Sequence, residues 1–369
     1  MRLQCAQEQL LRSVQTVGRA ISPRASMPIL GNILLEASKN DVRIAATDLE
    51  LGIEARFQST VQEDGSVTLP ARIFGDIVSN LPVAPVDIIV EEGEAKAIIS
   101  CDTVKFEIVG LPSADFPVMP TESGDILVKV DGGLLRTMIR QTSFAVSSDE
   151  TRPFLTGVYM VFEGNTGQLV ATDGGRLALR RAKISGASRG KIAAIVPNKT
   201  MTELVRVLGS TEGDVTIASQ DNQLVFSLPT LRFVSRLIAG QFPNYEQVIP
   251  KEFKQRIKVG TERLLRGVRR ASITARDSAN VVRLTASGGT LTVSSNTPDV
   301  GKAQEDIAVE VEGEAIPVAF NAKFLMDALG NMDAAEVTLE LTGPLSPGAL
   351  RPVDHADYIY VLAPVRVYG

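Results

Sequence analysis

Two carboxylates stand in the same short phrase 125 residues apart, Asp48 in Ala46-Thr47-Asp48 and Asp173 in Ala171-Thr172-Asp173. Paired acids of this kind can hold a divalent metal for phosphodiester hydrolysis, so a carboxylate-dependent nuclease or phosphoesterase using Asp48 and Asp173 is one reading. Its weakness is that the repetition puts the two acids in different domains. Other chemistry is sparse. The single histidine, His355, lies in RPVDHADYIY with no serine elbow, cysteine nucleophile motif or metal-spaced partner nearby, which favours a surface or capping role. No GxxxxGK[ST] loop and no GxGxxG after a strand is present. Cys5 and Cys101 sit in strand-like stretches without ligand spacing and read as buried, reduced and inert, so neither a disulfide nor a zinc site is expected.

The phrase repeats because the chain repeats. GNILLEA (31 to 37) corresponds to GVYMVFE (157 to 163) at a shift of 126, and LPSADFP (111 to 117) to LIAGQFP (237 to 243) at the same shift. LPARIFGDIVSNL (69 to 81) corresponds to VPNKTMTELVRVL (196 to 208). A fainter third copy runs through VVRLTASGGTLTVSSNTPD (281 to 299) and VAFNAKFLMDALGNM (318 to 332). A 369-residue chain is too long for one core, and a period of this size is too long for a solenoid. The expected fold class is therefore α+β, three repeated domains of antiparallel sheet with two helices each, at residues 1–121, 122–250 and 251–369. Each copy opens with a short strand and an amphipathic helix, such as the one carrying Leu10, Leu11, Val14, Val17 and Ile21 at helical spacing. Its helices should lie on one side of a sheet. Asp173-Gly174-Gly175 reads as the hairpin turn between two of its strands.

Hydrophobic content of 44% and charged content of 22% are ordinary for a globular domain, and no apolar run approaches a membrane span. The start, MRLQCAQEQLLRSV, lacks a secretion pattern, so a cytoplasmic chain is expected. The net charge of −5 argues against a surface that is basic all over, yet each expected helix turns a cation away from its apolar stripe. The first helices carry Arg12 and Arg19, Arg136 and Arg140, and Arg263, Arg266, Arg269 and Arg270; the second carry Arg72, Lys199 and Arg206, and Lys323. One such face is ordinarily just solvated. Six together suit a polyanion held by shallow phosphate contacts, which position a duplex without reading bases. A sequence-selective binding module is the third reading, but no reading-helix motif accompanies it.

Seven stretches in order, MPILGNILLEA, TDLEL, LPAR, LPSADFP, VATDGGRLAL, QFPNYEQVIP and the terminal YVLAPVRV, make the whole chain resemble the bacterial replicative sliding clamps, the beta subunit of DNA polymerase III. The resemblance implies a DNA clamp fold and a ring-shaped head-to-tail homodimer, six domains with twelve helices lining a hole for duplex DNA, without catalytic activity, cofactor, metal or membrane contact. It places Phe106, Ile108 and Ile273 at the dimer interface, and adds Arg24 and Arg152 to the DNA-facing set. It implies partners that dock short peptides in a pocket: the polymerase III catalytic subunit, the clamp loader and other clamp-motif proteins. Carried over position by position, that pocket comprises Leu155, Thr172, Gly174, Gly175, Arg176 and Leu177, then Pro243 and Val248, then Leu345, Pro347, Val361, Leu362, Ala363, Pro364, Val365 and Arg366. Thr172 and the arginines are expected to make polar contacts at its rim. Gly175, Gln247 and Ala363 depart from the family's frequent histidine, arginine and methionine, and Tyr368 and Gly369 extend beyond its usual end. On this reading, a chain cut before residue 361 should lose peptide binding and keep its dimer.

Overall fold

The computed structural model describes residues 1–23, 27–91, 93–120, 125–184, 186, 190–209, 213–276, 279–298 and 300–366. Six α-helices are present among them: α1 (Gln7–Val17), α2 (Ala71–Asn80), α3 (Gly132–Thr142), α4 (Asn198–Leu208), α5 (Thr261–Ala275) and α6 (Ala322–Leu329). They recur in the order strand, helix, strands, helix, strands, three times over. None is long and apolar enough to cross a membrane.

The chain forms two compact units. The first comprises residues 1–133, 185–190 and 202–237, and the second residues 134–184, 191–201 and 238–369. In the first unit, one antiparallel sheet runs Thr60–Glu63, Arg2–Ala6, Pro85–Val90, Lys96–Cys101, Val104–Val109. An eight-stranded sheet runs Asp125–Asp131, Asp214–Gln220, Gln223–Ser227, Leu231–Arg236, Leu51–Gln58, Asp41–Thr47, Asn32–Ser38, Gly65–Pro70. In the second unit, nine strands join in the order Lys191–Pro197, Gly157–Glu163, Thr166–Thr172, Arg176–Lys183, Tyr358–Leu362, Gly348–Pro352, Glu336–Leu341, Gln255–Gly260, Glu310–Gly313. A four-stranded sheet of Gly301–Ala308, Thr290–Thr297, Val281–Ser287 and Val318–Asn321 completes it.

The strands thus divide between two sheets where the sequence suggested helices on one side of one. α1 touches Arg2–Ala6 of one sheet and Asp41–Thr47 and Leu51–Gln58 of the other, and α5 likewise meets both sheets of its unit. The amphipathic stripe explains the arrangement: Leu10, Val14 and Val17 are fully buried, each burial contributing roughly 1.5–3 kcal/mol. Leu11 and Ile21, expected on the same face, are only half-buried. The Gln7 amide donates to the Val78 carbonyl at 2.9 Å and ties α1 to α2.

Strand pairing also corrects the repeat register by one residue. Leu34 faces Ala45 and Tyr159 faces Val170, so these strands match at 125, the same shift as the Thr-Asp turns. The longer shift of 126 belongs to the segment around Phe116 and Phe242.

Candidate functional site

The Thr-Asp phrase is first of all a turn. In the second unit Thr172 pairs with Leu177, and Asp173 Oδ1 accepts the backbone N–H groups of Gly175 and Arg176 at 2.8 and 3.0 Å. Thr172 Oγ1 accepts from Gly174 N–H at 3.1 Å and donates to the Arg176 carbonyl at 2.6 Å. Gly174 has φ +93°, a region where a side chain is strained. The first unit builds the same object. Asp48 Oδ1 accepts from Glu50 and Leu51, Thr47 Oγ1 accepts from Leu49, and Leu49 itself takes φ +75°. Both carboxylates are therefore engaged in their own turns and lie in separate units, which removes the basis for reading them as a paired metal site. Among the described residues no group of three or more His, Cys, Asp or Glu is placed to hold a metal.

Arg176 anchors the second turn from below. Its Nε donates to Asp173 at 2.9 Å, one Nη to Asp327 on α6 at 2.7 Å and the other to the Phe144 carbonyl at 2.9 Å. The guanidinium carbon lies 4.3 Å from the centre of the Phe324 ring. Burial alone would lower its pKa, but its hydrogen bond to Asp327 and the neighbouring Tyr360 and Asp173 hold it raised. With its side chain only 9% exposed, Arg176 is a clamp inside the wall and not the rim contact expected of it. Thr172 is likewise buried with its hydroxyl used within the turn.

Above this turn lies a cavity of about 380 Å³. Leu155, Leu177, Pro243 and Val361 give it apolar walls, and Thr172, Gly174, Gly175, Arg176, Val248, Pro347 and Ala363 also border it. These eleven come from the positions that the sequence reading singled out. Leu362 does not line it. Strand alternation turns Leu362 to the opposite, fully buried face, where the neighbouring Tyr360 hydroxyl donates to the Phe324 carbonyl. Leu345 is 60% exposed in its loop and, with Pro364, Val365 and Arg366, stands outside the cavity lining.

Phe154, Asn244 and Tyr245 line the cavity and were missed. Tyr159 stacks on Phe242 at 4.8 Å between centroids, and Tyr245 packs beside both at 6.4 and 6.3 Å while its hydroxyl meets Gln168. The aromatic in QFPNYEQ, two residues beyond Pro243, was the available signal. Arg152, expected on the DNA side, borders the cavity, its Nε held by Asp149 at 2.8 Å. Hydrogen bonds from Thr151 and from Arg152 keep the Asp149 carboxyl below its ordinary pKa. Arg152 is thus paired with an acid of its own loop.

Arg12, Arg72, Arg136, Lys199, Arg263, Arg269 and Lys323 are exposed on their helices. Others are charge-compensated: Arg19 and Arg206 both meet Glu203, Arg140 meets Asp333, Arg266 meets Glu262, and Arg270 meets Glu305. Arg19 also sits beyond the end of α1, in the short 3-10 turn Gly18–Ala20. Arg24, Tyr368 and Gly369 lie outside the described residues. Phe106 and Ile108 occupy the edge strand Val104–Val109, where Phe106 is exposed and Ile108 is buried at 5%. Ile273 on α5 is 59% exposed.

Comparison with known proteins identifies this geometry. Residues 1–120, 129–244 and 246–366 match in order the N-terminal, central and C-terminal domains of the DNA polymerase III beta subunit. The chain belongs to that family. It is 34% identical to the beta sliding clamp of Bacillus subtilis, with both chains covered in full. The crystal structure of the Bacillus subtilis DNA polymerase sliding clamp superposes with a TM-score of 0.96 over 100% of both chains, at 34% identity. A sliding clamp from Pseudomonas aeruginosa, solved bound to griselimycin, matches at 30% identity and a TM-score of 0.94, again over both full chains. The fold is accordingly the three-domain clamp fold, and the function is that of a sliding clamp in DNA replication. Membership implies DNA and a polymerase as partners, together with a site for peptides.

Proposed function

We propose that the cavity above the Thr172–Arg176 turn is the docking site for short peptide segments of the polymerase III catalytic subunit, the clamp loader and other clamp-motif proteins. The observation that carries this reading is the cavity itself: apolar walls from Leu155, Leu177, Pro243 and Val361 stand on a turn made rigid by Arg176. Such a site takes a leucine or aromatic anchor by desolvation. At Gly175 a Cβ would make ordinary contact, 3.4 Å from Phe324 and 3.5 Å from Asp173, so the wall has room for a side chain there.

In this reading the chain acts in the cytoplasm without catalysis of its own. Two copies close head to tail around duplex DNA, with domains spanning 1–121, 122–250 and 251–369. Exposed Phe106 on the edge strand of one copy meets the partner's α5 near the exposed Ile273 position, and the edge strand Gly301–Ala308 offers its unpaired backbone. A head-to-tail contact that closes after two steps makes a ring. Exposed cations on the helices then face phosphate.

Fluorescence-anisotropy titration with a labelled clamp-motif peptide tests the docking site. Leu177→Ala and Val361→Ala are each expected to weaken binding by roughly tenfold, about 1.4 kcal/mol. Wild-type affinity in both variants overturns the assignment.

A further inference from the structure

The first unit repeats the turn and strand pairing that border the cavity, and at the corresponding place one of its own side chains is packed. Its Thr47–Leu51 turn repeats three hydrogen bonds of Thr172–Arg176, one backbone N–H to the threonine hydroxyl and two to the aspartate. Gly52 pairs with Val234 as Leu177 pairs with Val361, each at the junction between one repeat and the next. Phe116-Pro117 enters beneath this junction as Phe242-Pro243 does in the second unit, and both phenylalanines are buried.

The two sites differ at two neighbouring positions. Three residues beyond the phenylalanine, the second unit has Tyr245, whose ring packs beside Tyr159 and whose hydroxyl meets Gln168, so it borders the cavity without filling it. The first unit has Met119. It is 7% exposed and packs with Leu34, Phe116 and Val234. A Cβ on Gly52 would lie 2.6 Å from Met119 Cε, so the glycine provides the space that the methionine occupies. A leucine there, as at 177, and this methionine are mutually exclusive.

We infer that this junction is a second binding pocket for a small apolar side chain, held shut by Met119 acting as a tethered ligand. The chemical class, an aliphatic or aromatic anchor of a short peptide, rests on the reading of the second-unit cavity given above. The pocket and its gate do not. Methionine suits the part because its unbranched thioether repacks easily, and the far end of a flexible chain, not backbone, closes the site.

Two variants of the full chain test it by different routes. Gly52→Ala crowds the methyl and should drive Met119 out. Dilute hydrogen peroxide followed by peptide mass mapping then reads the gate, because oxidation tracks exposure: Met119 should oxidise about tenfold more slowly than exposed Met27 in the wild type, and at a comparable rate in Gly52→Ala. Met119→Ala removes the plug, and benzene at saturation should raise its Tm by ~2 °C more than that of the wild type. A crystal pressurised with xenon should hold xenon beside Val234 in the variant alone. Unchanged Met119 oxidation in folded Gly52→Ala, or a Met119→Ala chain that takes up neither benzene nor xenon there, overturns the inference. Neither readout uses the second-unit cavity, so failure here leaves that reading standing.

Discussion

Arg176 concentrates on one side chain what the second-unit cavity needs, a fixed floor. The three nitrogens of a rigid fork reach Asp173, Asp327 and the Phe144 carbonyl, while Phe324 covers the guanidinium face. Removing one partner of a buried ion pair leaves the other charge uncompensated. Arg176→Ala should therefore destabilise the chain by about 3 kcal/mol in urea unfolding, with peptide affinity falling as well. Arg176→Lys keeps the charge but cannot span all three acceptors, and should recover less than half of the lost stability. Full recovery by lysine would mean that charge, not the fork, sets the turn. The residue type was legible in VATDGGRLAL and its burial was not, because an arginine three positions after an aspartate reads equally well as a rim contact or as a clamp. Burial depends on Asp327 and Phe324, about 150 residues away in the chain. Tyr245 was missed for a related reason: one aromatic in a proline-containing loop has no periodicity, and only its packing on Tyr159 and Phe242 gives it a place.

At the scale of elements, the sheets run through the junctions between repeats, at Leu231–Arg236 against Leu51–Gln58 and at Arg176–Lys183 against Tyr358–Leu362. The period was readable because turns and helices recur locally; these long-range pairings carry no local signature. The first junction holds a buried acid, Glu54, between Arg43 and Arg56 at 2.8 Å each, with Arg232 of the neighbouring strand at 3.8 Å. Burial pushes its pKa up, but Arg43 and the hydrogen bonds from Arg56 and Arg43 outweigh it and hold the value below normal. A carboxylate with a depressed folded pKa contributes stability above its unfolded value, about 4.3, and loses that contribution as pH falls through the folded value. Glu54→Gln should thus cost roughly 3 kcal/mol at pH 7, and the gap to wild type should close on acidification below pH ~4. A gap that stays constant in urea titrations across that range would place the effect in packing instead. The second junction changes the truncation experiment. Val361 and Leu362 belong to a buried strand, Leu362 facing both Arg176 and Gly348, so a chain ending at 360 loses sheet as well as cavity wall. A chain ending at 362 retains the strand and removes Ala363 from the cavity border. It should melt within a few degrees of wild type while binding peptide more weakly; a large loss of Tm would show that the last residues hold the strand in place.

For the whole molecule the question is where a net charge of −5 leaves its cations. Arg12, Arg72, Arg136, Arg263 and Lys323 are exposed on five different helices, whereas Arg266 and Arg270 are partnered by Glu262 and Glu305 on their own surface. Exposed cations interspersed with paired ones give weak contacts, and contacts to 6–10 phosphates lose roughly 10³- to 10⁵-fold in affinity between 50 and 200 mM salt. Electrostatics alone would therefore release the chain from DNA at physiological salt, and persistence has to come from closure. The proposed closure depends on Ile273 and Phe106, apolar side chains exposed in the single chain. Ile273→Asp buries an unpaired carboxylate in such a contact and should shift sizing from dimer to monomer at micromolar concentration, while the fold holds because the side chain is 59% exposed. Loaded by a clamp loader onto a nicked circle at about 200 mM salt, the wild-type dimer should stay bound and leave within seconds of linearisation, since ends give it an exit where phosphate contacts no longer hold it. The Ile273→Asp chain should leave circle and linear DNA equally fast. If wild type departs from both templates at one rate, the cations alone hold the DNA and the ring is not closed; if Ile273→Asp stays on circles as a monomer, closure lies elsewhere than the edge strand and α5.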